Sequence, residues 1–96
     1  MTRPAKLGDE EIRERLGRLS GWKVVDGKLH RSFRFENFAR AFGFMTSLAL
    51  VAEGLDHHPD WRNVYNRVDI DLSTHDAGGI TELDFEFAEA ANRLCD

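Results

Sequence analysis

The apolar positions near the start of the chain follow a helical period. Ile12, Leu16 and Leu19 are separated by four and three residues, which places them on one face of a helix. Asp9, just before this stripe, is a good N-cap residue, and Ser20-Gly21 after it is a typical helix stop. The pattern therefore predicts a short first helix.

Four segments further on have the character of strands, and they form two pairs. Residues 22–25 and 29–35 flank Asp26-Gly27, a dipeptide that strongly favours a hairpin turn. Residues 62–65 and 68–74 flank a second reversal near Asn66-Arg67. In the last strand, apolar side chains alternate with polar ones, so one face should meet the core and the other water. Antiparallel hairpins are expected in both places.

The segment between the two hairpins predicts a long second helix, from a cap at Asn37 to about Glu53 or Gly54. One face at helical spacing is formed by Phe38, Ala41, Phe42, Met45, Leu48, Ala49 and Ala52. Much of the remaining surface is also apolar, through Phe44, Leu50, Val51 and Leu55. Such a helix must be buried on more than one side, and one small sheet cannot cover it. We expect a second copy of the chain to cover the rest; the alternative is unusually deep burial within one chain.

A final helix is predicted from the capping-box pattern of Thr81 and Asp84. Its inward positions are expected to be Leu83, Phe87, Ala90 or Ala91, and Leu94. The element order is then α-β-β-α-β-β-α. This order predicts an α+β fold in which a four-stranded antiparallel sheet has its helices packed on one face.

Size and composition narrow the class of protein. The 96 residues are expected to form a single domain over residues 1–96, with residues 1–6 as a flexible tail. A net charge of −4 without a basic stripe argues against a nucleic-acid partner. The longest uncharged run, residues 41–52, is shorter than the roughly 20 residues that span a bilayer, so no membrane partner is expected. Cys95 is the single cysteine, which fits a reducing compartment, and we predict a cytoplasmic location.

Three of the four histidines fall in the two loops at one end of the second hairpin. His57 and His58 precede this hairpin and His75 follows it, so the topology should bring them together. Carboxylates that could orient these imidazoles lie nearby at Glu53, Asp56 and Asp76. An imidazole with its usual pKa of about 6.5 can give or take protons near neutral pH. A proton-transfer site is therefore predicted.

Simpler interpretations of the same residues stay open. A metal site is one alternative, although adjacent side chains such as His57 and His58 point to opposite sides in extended chain and chelate one ion poorly. His30, in a strand, is interpreted as surface polarity. Trp61 could anchor the core instead of bordering a flat substrate, and Pro59 could simply constrain the backbone.

A longer pattern carries a family resemblance. Its parts are Arg40-Ala41-Phe42-Gly43-Phe44-Met45, then Glu53-x-x-Asp56-His57-His58-Pro59-x-Trp61, then Asn63-Val64-Tyr65-Asn66-x-Val68, and finally Leu72-Ser73-Thr74-His75-Asp76-x-Gly78-Gly79-Ile80-Thr81-x-x-Asp84. This pattern resembles the pterin-4a-carbinolamine dehydratase family, closely over residues 37–84. Gly54, where many relatives carry a charged residue, is a small departure at a helix end.

The resemblance implies a reaction and a set of residues. The family removes water from 4a-hydroxytetrahydrobiopterin to give quinonoid dihydropterin, in tetrahydrobiopterin recycling, and needs neither a metal nor an organic cofactor. By analogy His57, His58 and His75 would be catalytic: His58 as base or acid near N5, the other two as acid toward the hydroxyl and as orienting donors. Contacts to the pterin substrate would come from Glu53, Asp56, Pro59, Trp61, Ser73, Thr74 and Asp76. Among these, Glu53 would position a histidine and Trp61 would border the ring.

The resemblance also implies partners. Relatives pair their sheets edge to edge, and some form tetramers through the second helix, so a homodimer or homotetramer is expected. The alternative function is that of a dimerisation cofactor for a transcription factor, with or without dehydratase activity.

Overall fold

The computed structural model describes residues 4–95 and has the predicted order of elements. The elements are α1 (Asp9–Leu16), β1 (Lys23–Val25), β2 (Lys28–Arg34), α2 (Phe38–Leu55), β3 (Asp60–Val64), β4 (Arg67–Leu72), a 3-10 turn (His75–Ala77) and α3 (Glu82–Leu94). The predicted α+β class is confirmed. Residues 1–3 of the predicted flexible tail lie outside the described part of the chain.

The four strands form one antiparallel sheet in the order β1-β2-β4-β3. Asp26 and Gly27 both have positive φ, 51° and 77°, as the predicted hairpin turn requires. The second reversal occupies residues 65–66, one residue earlier than predicted, with Tyr65 in the left-handed region at φ 50°. Both hairpins therefore form where local turn chemistry allows them.

The core lies between one face of the sheet and the helices. In β4 the side chains of Val68, Ile70 and Leu72 are buried and alternate with the half-buried Asp69 and Asp71. The helices α2 and α3 contribute the buried residues Ala41, Phe44, Leu48, Ala52, Phe85, Phe87, Ala88, Ala90 and Ala91. Two inward predictions on α3 fail, since Leu83 is half-buried and Leu94 is exposed. The buried face of α3 is centred on Asp84, Ala88 and Ala91, which leaves both leucines toward its edge.

Helix α2 is buried on one side only. Its first turn is capped as predicted, because the side-chain oxygen of Asn37 accepts a hydrogen bond from the Arg40 backbone N–H at 2.9 Å. On its outer side, Phe38, Phe42 and Leu50 are 49%, 54% and 75% exposed. The alternative of deep burial within one chain is therefore wrong.

The same helix has the length and mean hydropathy of a membrane span, the sole helix among residues 4–95 to do so. Length and hydropathy alone are weak evidence for a membrane span, since the core helices of many proteins also have them.

Helix α1 begins differently from the prediction. Its N-cap is Gly8, in extended conformation, and Asp9 is the first helical residue. Asp9, Glu10 and Glu11 instead place negative charge in the first turn, where it interacts favourably with the helix dipole. The helix ends at Leu16, and Leu19 reaches the core from the turn that follows.

Candidate active site

Two loops meet at the end of the β3-β4 hairpin where Asp60 pairs with Asp71. One loop follows α2 and the other follows β4. Between them lies a cavity of about 200 Å³, lined by Asp56, His57, His58, Ser73, Thr74, His75 and Asp76. The structure thus brings the three loop histidines to one cavity. Their catalytic roles stay predictions.

The C-terminus of α2 sets the position of His57. Asp56 has left-handed backbone angles, φ 49° and ψ 45°. The backbone N–H of His57 donates to the carbonyl of Ala52 at 3.0 Å, and that of Asp56 donates to the carbonyl of Glu53 at 3.3 Å. This pair of bonds is a Schellman motif, which ends the helix and reverses the chain direction. The reversal turns His57 inward, where it is 5% exposed.

A buried hydrogen-bond network holds the His57 ring. Its Nε2 lies 2.5 Å from Oδ1 of Asp84, a residue that is fully buried. Oδ2 of Asp84 accepts hydrogen bonds from the Thr74 hydroxyl at 2.9 Å and from the Thr81 backbone N–H at 2.8 Å. A charged group buried with several donors is held far more rigidly than one in water. Asp84 was not among the predicted site residues; its only sequence signals were the capping box and the end of the family pattern.

His58 sits in a contrasting environment. Its Nε2 lies 2.6 Å from Oε2 of Glu53, one turn back on α2, and the two side chains are 58% and 75% exposed. Glu53 does not line the cavity and contacts it through His58. The carboxylate can orient the ring, but solvent screens the pair.

His75 begins the 3-10 turn and is exposed. The turn closes on Thr74: the backbone of Thr74 donates to the Gly79 carbonyl at 2.8 Å, and Ala77 and Gly78 donate to the Thr74 carbonyl at 3.1 Å. This compact loop holds His75 on the opposite wall of the cavity from the helix end that carries His57 and His58.

A family model described as "Pterin 4 alpha carbinolamine dehydratase" matches residues 5–94, nearly the whole chain. The chain belongs to this family. A Solibacter usitatus protein named as a candidate pterin-4-alpha-carbinolamine dehydratase is 56% identical over 89 residues, which cover 93% of this chain and 94% of the relative. A Sinorhizobium fredii protein with the same name is 54% identical over 101 residues, covering 98% and 96%.

Solved structures agree with this membership in the pterin carbinolamine dehydratase family. A Brucella melitensis protein described as a transcriptional coactivator/pterin dehydratase superposes with a TM-score of 0.92 at 49% identity, covering 95% of this chain and 99% of the other. A pterin dehydratase-like protein identified as a RuBisCO assembly factor in the alpha-carboxysome has a TM-score of 0.63 at 24% identity, covering 77% and 86%. The second comparison shows the fold alone.

Two predicted pterin contacts, Trp61 and Pro59, and the strand histidine His30 do not line the cavity. Trp61 is half-buried and packs against the core, beside a separate depression on the sheet, and Pro59 is half-buried outside the lining. His30 borders the same depression as Trp61, with its Nδ1 2.9 Å from Oδ1 of Asp71. Among residues 4–95, no group of three or more His, Cys, Asp or Glu side chains is arranged to hold a metal ion.

Proposed function

We propose that the protein eliminates water from 4a-hydroxytetrahydrobiopterin by histidine acid/base catalysis, as a step in tetrahydrobiopterin recycling in the cytoplasm. The observation that carries this proposal is the single cavity lined by His57, His58 and His75 in a pterin carbinolamine dehydratase family member. Two of these imidazoles have a carboxylate partner, so their rings are oriented before a substrate arrives.

The reaction needs one acid and one base. The hydroxyl on C4a takes a proton and leaves as water, which breaks the C4a–O bond. N5 loses its proton, and its electron pair forms the C4a=N5 double bond. One proton enters and one leaves, so the protein returns to its starting charge. Imidazoles suit both roles, because either protonation state is accessible near neutral pH.

The shape of the region is compatible with a flat bicyclic ring that carries a substituent. The histidine cavity, at about 200 Å³, is smaller than the roughly 300–1,000 Å³ typical of sites for drug-sized ligands. A second hollow of about 270 Å³ shares Ser73, Thr74 and His75 with it and extends to Asp26-Gly27 and Lys28. In this proposal the pterin ring occupies the first space and its side chain extends toward the second.

The test is the decay of a synthetic 4a-hydroxytetrahydropterin, followed spectrophotometrically, with alanine replacing His57, His58 or His75 in turn. Each replacement should slow the dehydration by about 10²–10⁴-fold, the usual contribution of a positioned acid or base. His30→Ala is the matched control, because His30 lies outside the cavity, and it should keep the wild-type rate. Unchanged rates in all three site variants would refute the proposal.

A second role in protein association is supported by the outer side of α2. Phe38, Phe42 and Leu50 are exposed there, and the ring centroids of Phe38 and Phe42 lie 5.6 Å apart. The similar Brucella melitensis protein is described as a coactivator as well as a pterin dehydratase. We propose that this surface forms a homodimer or homotetramer, or receives a partner protein. Phe42→Asp should then lower the sedimentation coefficient and leave dehydration intact; a wild-type monomer at micromolar concentration would contradict self-association.

A further inference from the structure

Two threonine hydroxyls form a buried chain that leads to Asp84. Oγ1 of Thr81 lies 2.7 Å from Oγ1 of Thr74, which in turn lies 2.9 Å from Oδ2 of Asp84. Thr81, Thr74 and Asp84 are 0–1% exposed. The chain ends at His57, whose Nε2 is 2.5 Å from the other oxygen of Asp84.

The direction of each hydrogen bond in this chain follows from counting donors. An ionised carboxylate only accepts, so the single hydroxyl hydrogen of Thr74 is donated to Asp84. Thr74 therefore accepts in its contact with Thr81, and Thr81 donates. The Thr81 oxygen in turn accepts from the backbone N–H of Leu83 at 3.2 Å. Every hydrogen in the chain thus points toward Asp84.

The oxygen Oδ2 of Asp84 already receives two donors, the Thr74 hydroxyl and the Thr81 backbone N–H. It cannot also carry a proton. At Oδ1, the lone pairs of the carboxylate can accept a hydrogen bond from His57 Nε2, which lies 2.5 Å away.

We propose that the Thr81–Thr74–Asp84 chain fixes the tautomer of His57, with the proton on Nε2 and the lone pair on Nδ1. Thr74 and Thr81 are then positioning residues. Only the catalytic meaning of this arrangement rests on the proposed dehydratase function. Within that function, the tautomer decides which ring nitrogen of His57 carries the proton when the substrate binds.

The helix cap does not account for the whole chain. Thr81 and Asp84 form the capping box of α3 by themselves. Thr74 belongs to the other loop, seven residues from Thr81, and its hydroxyl contacts both cap residues without being a member of the box. A valine of the same shape would fill that buried space without a polar group, whereas a buried hydroxyl must be paired to be tolerated. The hydroxyl is placed where it can act on Asp84.

The decisive experiment is an NMR measurement of the His57 ring nitrogens in ¹⁵N-labelled protein at about pH 8, where an ordinary imidazole is neutral. His57→Gln assigns the signals. The wild-type protein should show a protonated Nε2 and an unprotonated Nδ1. In Asp84→Asn, the Thr81 N–H and the Thr74 hydroxyl still need an acceptor, so the amide oxygen should face them. The amide NH₂ then faces His57, whose tautomer should invert.

Thr74 itself is tested by a matched pair of variants. Thr74→Ser keeps the hydroxyl and should keep the wild-type spectrum. Thr74→Val removes it, so both tautomers should become populated and the two ring-nitrogen shifts should approach each other. The kcat of the valine variant should fall with little change in KM, while the serine variant restores it. A wild-type His57 protonated on Nδ1 would overturn the inference, and so would an unchanged tautomer in folded Asp84→Asn. An unchanged spectrum in Thr74→Val would refute the positioning role of Thr74.

These spectra need no substrate, so the two proposals can fail separately. The predicted tautomers without any dehydration would refute the proposed function and leave the inference intact. Dehydration by a wild-type protein with the opposite tautomer would refute the inference alone. The unfolding midpoint of each variant reports whether it has kept its fold.

Discussion

Two leucines on α2, two residues apart, differ greatly in burial. Leu48 is 0% exposed and belongs to the core, whereas Leu50 is 75% exposed. Leu48→Ala should cost about 2–5 kcal/mol, the range for truncating a buried leucine. Because a domain has only about 5–15 kcal/mol of stability in total, this is a large share of it. At about 4–8 °C per kcal/mol for a chain of this size, Tm should fall by about 8 °C or more.

Leu50→Ala is the matched control, with the same chemical change on the same helix. In dilute protein it should change the free energy of unfolding by less than about 0.5 kcal/mol, as is usual at an exposed position. The assay is urea unfolding followed by far-UV circular dichroism, at several protein concentrations. If the outer face of α2 binds a second copy, the wild-type midpoint should rise with concentration, and Leu50→Ala should weaken that rise.

The result that would refute this reasoning is a similar cost for both leucines in dilute protein. It would mean that the two sides of α2 are buried alike, against the exposures of 0% and 75%. A cost below about 1 kcal/mol for Leu48→Ala would equally contradict its place in the core.

Two further predictions concern hydrogen-bonded carboxylates. The hydrogen bond from the Ser32 hydroxyl to Asp69, at 2.6 Å, aided by two nearby arginines and opposed by burial, holds the pKa of Asp69 below its usual 3.8. A lowered folded-state pKa stabilises the protein above pH 3.8, and this stabilisation is lost as pH falls through the folded value. Ser32→Ala should therefore lower the free energy of unfolding, measured with urea, by about 0.5–1.5 kcal/mol at pH 7 but hardly at pH 2. Equal losses at both pH values would contradict this. Glu53→Gln should slow dehydration less than about 5-fold, because its pair with His58 is exposed to solvent. A loss of about 10²-fold or more, as expected for His58→Ala, would contradict this.

The sequence by itself determined what depends on neighbouring residues. The order of elements followed from the helical and alternating periods, and the first hairpin followed from Asp26-Gly27, whose backbone angles suit the turn. The cap at Asn37 and the capping box of Thr81 and Asp84 were also predicted, since a cap is a contact within one helical turn. The loop positions of the histidines then followed from the order of the strands.

Only the tertiary structure decided which distant groups meet. His57 and Asp84 are 27 residues apart, and no periodicity or turn preference links them. The same holds for the Thr74 hydroxyl, which donates to Asp84, and for Trp61, which packs against the core. The helical period placed Phe38 and Phe42 on one face of α2 with Ala41 and Leu48, yet both phenylalanines are exposed while Ala41 and Leu48 are buried. Burial depends on which surfaces come together, and α2 is apolar on most of its circumference.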